Sequence, residues 1–189
     1  PELVTRLEAA FDDAGKKTGA EAITVAVAKL GEGLWSRDAI LAPAERLWWA
    51  STAKTYVAAV VLQLAEERRL SLGDPISRWV KGVPNGHVIT IRDLLQHTSG
   101  LFSANEDPTW RANPRRLTPA LTLSIVQAHG SMFCPGQHWR YSNSGYTLLG
   151  QVIEAVTGHS WQEAVEARIF RRLGLESMRA MRADDPAGI

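Results

Sequence analysis

One segment constrains the fold of this chain more than any other. The stretch from Ser51 to Arg69 has the pattern of a helix that is apolar on more than one side. Four residues follow the i, i+3, i+4, i+7 spacing of a single helix face, namely Val57, Val60, Val61 and Leu64. Alanines at positions 53, 58 and 59 widen the apolar surface. The pattern therefore predicts a helix over 51–69 that is buried on more than one side.

The first fifty residues predict a helix followed by a small sheet. Apolar spacing favours a helix over 2–14, and Gly15 to Glu21 reads as a polar break. Alternation predicts a strand over 23–28, with 34–36 as its hairpin partner across residues 31–33. Because two strands alone are marginally stable in water, something should complete this sheet. Since unpaired edges invite pairing, we expect the chain to associate with another chain or to be prone to aggregation.

Four further helices are indicated by their end signals. Their expected starts are Thr90 with a capping box to Asp93, Thr118 before Pro119, residue 144, and Ser160 with a capping box to Glu163. Their expected ends are Ser99–Gly100, Gly130, Gly158 and about Arg172. Residues 182–189 are polar and turn-like. The organisation predicted is one domain over 1–189, in which 1–50 hold the first helix and strands and 51–189 are mainly helical.

Composition excludes several classes of function. Hydrophobic residues make up 45% and charged residues 22% of the 189 residues, which is typical of a globular protein. Lys and Arg total 21 against 20 Asp and Glu, so no basic surplus indicates a nucleic-acid partner. No apolar run approaches the roughly 18 residues of a membrane span. The lone Cys134 and five scattered His lack the spacing of metal ligands, so neither a metal nor a cofactor is predicted. The sequence makes no prediction of localisation.

The first candidate for chemistry is Ser51-Thr52-Ala53-Lys54. Positions i and i+3 of a helix lie on one face, so the Lys54 amine can reach the Ser51 hydroxyl. A serine hydroxyl becomes a good nucleophile when a base takes its proton. For Lys54 to be that base, burial or a nearby cation must keep it neutral near pH 7. The apolar surroundings, including Trp48-Trp49, favour a desolvated site. The structural alternative is Ser51 as an ordinary N-cap and Lys54 as a solvated residue.

The second candidate is Tyr141-Ser142-Asn143. A phenol can relay a proton, and a nearby ammonium favours its anionic form. An asparagine amide can orient a substrate carbonyl or amide. The structural alternative is Tyr141 as an aromatic at the edge of the core and Asn143 as a helix N-cap.

Together these segments carry a family resemblance. The chain resembles the serine β-lactamase and penicillin-binding-protein superfamily, in particular its class C-like branch. That branch includes class C β-lactamases, D-alanyl-D-alanine carboxypeptidases, D-amino-acid peptidases and β-lactamase-like esterases. The resemblance covers nearly all of residues 1–180. Its carriers are Ser51 to Lys54 within 50–72, IRDLLQHTSGL at 91–101, Pro135-Gly136, YSNSGYTLLG at 141–150, and IFRRLGL at 169–175.

The resemblance implies a fold and a set of roles. The fold is α/β of the β-lactamase-like (DD-peptidase) type, with a helical subdomain and an incomplete antiparallel sheet whose C-terminal strands are absent from this chain. Ser51 would be the acylated nucleophile, Lys54 its proton acceptor or electrostatic partner, and Tyr141 the second acid/base group. Asn143 would contact the substrate, and the Ser51 backbone N–H would form half of the oxyanion hole. We interpret His97 as structural, in a loop packing beneath the site.

Two other matches to the superfamily's motifs occur. Ser103-Ala104-Asn105 fits the Ser-x-Asn motif of class A enzymes, but the flanks of Tyr141 fit the second motif better. Lys17-Thr18-Gly19 fits the third motif, Lys-Thr-Gly, but it lies before the first predicted strand. In the family, that motif lies on a strand after Tyr-x-Asn. Neither match is therefore given a function.

The third motif is the chief departure from the family pattern. No Lys-Thr-Gly, Lys-Ser-Gly or His-x-Gly follows Asn143. The chain is accordingly a fragment, one part of a complex completed by a second chain or a C-terminal segment, or a degenerate relative. We favour the fragment, because both earlier motifs are intact.

Two functions follow from these patterns. The first is a serine hydrolase that acts through a Ser51 acyl-enzyme on a small-molecule ester, a β-lactam, or a D-amino-acid amide or peptide. The alternative is a non-catalytic β-lactamase-like binding or scaffold module, inactive alone because the third motif is missing. The preferred acyl group and the identity of the general base are left open.

Overall fold

The computed structural model describes residues 2–18, 23–29, 31, 33–39 and 49–182 of the chain. The described residues up to position 39 belong to one compact unit, and residues 49–182 belong to another. This division falls beside the predicted boundary at residue 50. That residues 1–189 form a single domain stays a prediction. Of the polar stretch predicted over 182–189, only Arg182 is among the described residues.

The first unit begins with helix α1, Glu2–Thr18, which runs past the predicted end at residue 14. The predicted break at Gly15 is wrong, because the helix continues through it. A glycine inside a helix costs only about 1 kcal/mol. Lys17 pairs with Asp13 one turn earlier at 2.8 Å, and basic residues in the last turn suit the negative end of the helix dipole. These local contacts stabilise the last turn of the helix, which ends at Thr18.

A β-hairpin follows in the same unit. Strands β1, Ile23–Lys29, and β2, Gly33–Ala39, are antiparallel, and the register pairs Ile23 with Ala39 and Lys29 with Gly33. The predicted strand and hairpin are confirmed, although β2 is longer than the predicted 34–36. Within the unit, the Trp35 indole donates a hydrogen bond to Glu8 of α1 at 3.0 Å. Among the described residues the sheet has these two strands.

The second unit is built around the helix that the apolar pattern predicts. A 3₁₀ turn over Ala50–Ala53 leads into helix α2, Lys54–Glu66. Its buried stripe contains the four predicted residues, Val57, Val60, Val61 and Leu64. The predicted end at Arg69 is wrong, because Arg68 adopts a left-handed conformation with φ 59° and ends the helix.

Helix α6, Asn143–Thr157, is the second helix of the core. Its fully buried apolar side chains are Leu148, Leu149, Val152 and Ile153. Helices α2, α3 (Ile91–Gln96), α5 (Pro119–His129) and α7 (Trp161–Val165) pack against it. Gly158 follows α6 with φ 76°, which confirms its prediction as the residue that ends the helix.

The capping signals locate helix starts well. Thr90 and Asp93 form the predicted capping box before α3, and Ser160 and Glu163 form the box before α7. The Thr118 side chain caps α5, and Gly130 ends it. Two ends differ from the predictions. Helix α3 stops before His97 rather than at 99–100, because His97 is left-handed with φ 61°. A π-helical turn over 166–170 replaces the predicted continuation of α7 to residue 172.

Three short elements were not predicted. Two are 3₁₀ turns, over Ile76–Arg78 and Ala104–Glu106. The third is helix α4, Pro108–Ala112, whose N-cap Asp107 accepts a hydrogen bond from the Trp110 backbone N–H at 2.7 Å. Elements of one turn carry too few periodic residues for a sequence pattern to reveal them.

Candidate active site

The Ser51 and Lys54 side chains meet in the 3₁₀ turn at the start of α2. Lys54 Nζ donates to Ser51 Oγ at 3.1 Å. In a 3₁₀ turn, side chains at i and i+3 eclipse one another, so this turn brings the two groups closer than an ideal α-helix does. Ala50, just before Ser51, has φ 43°, a strained conformation of the kind found at functional sites.

Tyr141 reaches the same hydroxyl from a distant part of the chain. Its phenol oxygen lies 2.6 Å from Ser51 Oγ, although 90 positions separate the two residues. Lys54 Nζ also lies 5.1 Å from the centroid of the Tyr141 ring and 5.6 Å from that of Tyr146. Ser51, Lys54 and Tyr141 thus form one connected polar cluster within the second unit.

The surroundings of this cluster differ from the expectation of a desolvated site. Ser51 is exposed, and Lys54 and Tyr141 are half-buried. The upstream Trp49 is 51% exposed. The apolar stripe that suggested burial begins at Val57, beyond the reactive turn, so the described residues leave the hydroxyl open to solvent.

The charge of Lys54 changes the acidity of its neighbours. Burial raises the pKa of the Tyr141 phenol, but hydrogen bonds from Lys54 and Ser51 and the Lys54 charge together lower it below its ordinary value. Burial raises the pKa of Tyr146, as does the Tyr141 charge. The structure therefore distinguishes two neighbouring phenols, and Tyr141 is the one more easily ionised.

His97 packs against the tyrosine without contacting the reactive hydroxyl. Its ring centroid lies 4.5 Å from that of Tyr141, and its Nδ1 accepts a hydrogen bond from the Ser142 backbone N–H at 3.2 Å. An accepting Nδ1 requires the neutral imidazole with its hydrogen on Nε2. Burial lowers the pKa of His97, and the Lys54 charge lowers it further, which favours that neutral form. His97 thus supports the backbone that carries Tyr141.

Asn143 is the first residue of α6, and its backbone N–H and both ends of its side-chain amide form hydrogen bonds. Its Oδ1 accepts from the Tyr141 hydroxyl at 3.3 Å, and its Nδ2 donates to Asn105 Oδ1 at 2.8 Å. Its backbone N–H donates to Ser103 Oγ at 2.9 Å. Ser142, rather than Asn143, occupies the N-cap position of α6.

The residues that sequence analysis set aside are therefore part of the site's surroundings. Ser103 and Asn105 come from the Ser-x-Asn match that was given no function. The signal was present in the sequence, but only the fold shows that this loop faces Asn143. Of the Lys-Thr-Gly match, Lys17 and Thr18 lie in the last turn of helix α1.

The described residues offer neither a metal site nor a membrane span. No group of three or more His, Cys, Asp or Glu side chains in them is arranged to hold a metal ion. None of the helices they form is long and apolar enough to cross a bilayer.

Comparison with known proteins places the chain among relatives of the predicted kind. It is 32% identical over 130 residues to penicillin-binding protein 4 of Amycolatopsis lactamdurans, across 66% of this chain and 33% of that protein. Its structure is similar to a D-stereospecific amidohydrolase from Streptomyces, with 36% identity, a TM-score of 0.78, and coverage of 86% of this chain and 52% of that one. It is also similar to the D-amino acid amidase of Ochrobactrum anthropi, with 25% identity, a TM-score of 0.80, and coverage of 93% and 53%.

These comparisons confirm the predicted β-lactamase-like fold and the resemblance to the penicillin-binding proteins. The chain spans about half the length of the two solved relatives. The family model described as Beta-lactamase matches residues 7–186. With that match, and with Ser51, Lys54 and Tyr141 joined in one cluster, the chain belongs to the Beta-lactamase family.

Proposed function

We propose that this chain carries the nucleophile and the proton-transfer groups of a serine hydrolase that works through a Ser51 acyl-enzyme. One observation carries the proposal: Ser51 Oγ lies 3.1 Å from Lys54 Nζ and 2.6 Å from Tyr141 Oη. A serine hydroxyl is a weak nucleophile until a base takes its proton. Both candidate bases lie within hydrogen-bond reach of that proton, which is the geometry general base catalysis needs.

In the proposed mechanism, Tyr141 accepts the proton of the Ser51 hydroxyl. The Ser51 oxygen forms a bond to the carbonyl carbon of the substrate while its proton passes to the phenolate of Tyr141. Lys54 stabilises that phenolate by its positive charge, in keeping with the lowered pKa of Tyr141. When the tetrahedral intermediate collapses, the bond to the leaving amine or alcohol breaks, and Tyr141 returns the proton to the leaving group. Water then attacks the acyl carbon and gives a proton to Tyr141, and Ser51 departs with that proton.

Asn143 is proposed to orient the acyl group. One hydrogen of its Nδ2 is donated to Asn105, and the second is available to a substrate carbonyl. The backbone N–H of Ser51 would donate to the oxygen that gains negative charge in the intermediate.

The substrate class proposed is D-amino-acid amides and short peptides. It is supported by the similarity to a D-stereospecific amidohydrolase and a D-amino acid amidase. Esters and β-lactams acylate the same type of nucleophile and are the alternative substrates.

Release of ammonia from D-phenylalanine amide and L-phenylalanine amide by the purified chain tests the proposal. We expect release from the D-isomer, loss of that release in Ser51→Ala, and unchanged release in Ser124→Ala, an exposed serine of α5. Release that survives in Ser51→Ala would reject the acyl-enzyme. Equal release from both isomers would reject the D-specific class. A chain that turns over no amide, ester or β-lactam fits the binding-module alternative.

A further inference from the structure

A polar loop outside the reactive cluster is joined to Asn143 by several hydrogen bonds. Ser103 Oγ accepts from the Asn143 backbone N–H at 2.9 Å and donates to Asn105 Oδ1 at 2.8 Å. Asn105 Oδ1 also accepts from Asn143 Nδ2 at 2.8 Å. A carbonyl oxygen has two lone pairs, so these two donors use its full capacity.

This arrangement determines which end of the Asn143 amide faces the tyrosine. Because Asn105 Oδ1 only accepts, it selects the NH₂ end of Asn143. The opposite end, Asn143 Oδ1, then faces Tyr141 and accepts its hydroxyl hydrogen at 3.3 Å. Ser103 Oγ accepts from the Asn143 backbone N–H and donates its own hydrogen to Asn105 Oδ1, so the oxygen end of the Asn105 amide is the end that faces Asn143.

Burial makes this orientation persistent. The Ser103 side chain is 1% exposed, and Asn105 and Asn143 are half-buried. Two further hydrogen bonds hold the loop in place. The Ala104 backbone N–H donates to Ser144 Oγ at 2.9 Å, and Arg111 Nε donates to the backbone carbonyl oxygen of Asn105 at 3.1 Å. A flip of the Asn143 amide alone would place its carbonyl oxygen against Asn105 Oδ1, and two facing acceptors lose the hydrogen bond between them.

We propose that Asn105 is a positioning residue for the reaction: it orients the Asn143 amide so that its oxygen holds the Tyr141 hydroxyl and one N–H is left for the substrate carbonyl. Before it ionises, the Tyr141 phenol donates its one hydrogen to Asn143, so its lone pairs face Ser51 and Lys54. The phenolate that takes the Ser51 proton in the proposed scheme keeps these two partners. Asn105 thereby directs the Ser51 hydrogen toward Tyr141 without touching either group. The catalytic consequence rests on the proposed function, whereas the orientation itself does not.

Selective labelling makes the orientation observable in the full chain without any turnover. The chain holds only four asparagines, at positions 85, 105, 113 and 143. A sample labelled with ¹⁵N in asparagine side chains therefore gives four NH₂ pairs by NMR. In the unaltered chain we expect the two Asn143 protons to be widely separated, since one is hydrogen-bonded. The exposed Asn113 should give the narrow separation of a free amide. An Asn143 pair with that same narrow separation would overturn the proposal.

Two variants of Asn105 separate orientation from general stability. Asn105→Leu removes the acceptor and should move the Asn143 pair while leaving those of Asn85 and Asn113 in place. Asn105→Asp keeps an acceptor of the same size and should leave the Asn143 pair separated. Asn113→Leu is the matched control and should leave the Asn143 pair unchanged. An Asn143 pair that collapses in Asn105→Asp contradicts the proposal, whether or not the leucine variant folds.

The reaction supplies a second readout. The rate at which a fluorophosphonate phosphonylates Ser51, forming an O–P bond with loss of fluoride, should fall about tenfold in Asn105→Leu and stay within about threefold in Asn105→Asp, because misplacing a reacting group slows the chemical step. In an Asn143→Ala background the leucine substitution should have no further effect. A full additional loss there would show that Asn105 acts by another route. If the fluorophosphonate modifies Ser51 in none of these proteins, including the unaltered chain, the proposed function fails. The NMR result still decides the orientation of the Asn143 amide.

Discussion

At the scale of single residues, we expect the reactivity of the Ser51 hydroxyl to depend on the Tyr141 phenol and not on that of the neighbouring Tyr146. We expect Tyr141→Phe to slow Ser51 acylation by about 10²- to 10⁴-fold, the usual contribution of a general acid or base. Tyr146→Phe is the matched control, because the Tyr146 hydroxyl donates to the Leu95 carbonyl at 3.1 Å rather than to Ser51. Stopped-flow or quenched labelling measures both rates. Equal losses in the two variants would remove the assignment of the proton to Tyr141.

The titration of His97 should make the free energy of unfolding depend on pH, and the surroundings of its ring determine the direction of that dependence. Its pKa in the folded chain lies below the value of 6.5 expected when unfolded, because of burial first and then Lys54. Between these two pKa values the unfolded chain binds more protons, so stability is fully present above pH 6.5 and falls as the pH drops below it. We expect a lower unfolding free energy at pH 5.5 than at pH 7.5 by urea titration.

A single variant checks that the change belongs to His97. Asn tolerates the left-handed backbone of this position and offers an acceptor for the Ser142 N–H. His97→Asn should therefore flatten the stability profile between pH 5.5 and 7.5. A profile that keeps its slope in this variant would assign the titration to another group.

How far the site could be predicted depends on sequence distance. The Ser51–Lys54 contact follows from three-residue spacing, which local geometry fixes. The approach of Tyr141 to Ser51 came only from the family resemblance, since nothing local joins residues 90 positions apart. The contact between Asn105 and Asn143 was missed for the same reason, because 38 positions separate the two residues.

At the scale of elements, helix ends are predictable where a side chain bonds to the neighbouring backbone. Thr118 accepts from the Leu121 backbone N–H at 3.2 Å, and helix α5 begins where the sequence predicts. The ends that were predicted wrongly depend on backbone conformation instead of a side-chain cap. Arg68 and His97 are left-handed after α2 and α3, and a π-helical turn follows α7. The passage of α1 through Gly15 shows that a single weak helix former does not end a helix whose neighbours support it.

The cap of α5 makes a direct test of this view. We expect Thr118→Ala to lower the unfolding free energy by about 1 kcal/mol, because it leaves a helix N–H without its acceptor. Thr109→Ala, an exposed change inside α4, should alter it by less than about 0.5 kcal/mol. Urea denaturation of both variants measures the difference. Equal effects would mean that the Thr118 hydroxyl contributes nothing beyond helix propensity.

At the scale of the whole molecule, the second unit holds the core on which the site is built. Helices α2 and α6 carry many of its fully buried apolar side chains, and both bear site residues at their starts. The site therefore requires the packing of α2 against α6. The apolar periodicity predicted the buried stripe of α2, but not how α2 and α6 meet.

Truncating this core should cost far more than truncating its surface. Leu149→Ala should lower the unfolding free energy by about 2–5 kcal/mol, since Leu149 is fully buried. Leu62→Ala is the matched control on α2, where the side chain is 50% exposed, and should cost less than about 1 kcal/mol. Thermal or urea unfolding compares them. A cost for Leu62 as large as that for Leu149 would contradict the described core.

The expected association of the chain through its hairpin stays a prediction, which light scattering can check.

The most direct test is where a reagent that modifies a nucleophilic serine attaches to the chain. The intact chain is exposed to a fluorophosphonate and, separately, to penicillin, and the adduct is located by peptide mass spectrometry. The account predicts one adduct, on the Ser51 hydroxyl, that disappears in Ser51→Ala, weakens strongly in Tyr141→Phe and persists in Ser124→Ala. An adduct on any other residue, or one that forms equally fast without the Tyr141 hydroxyl, would contradict it.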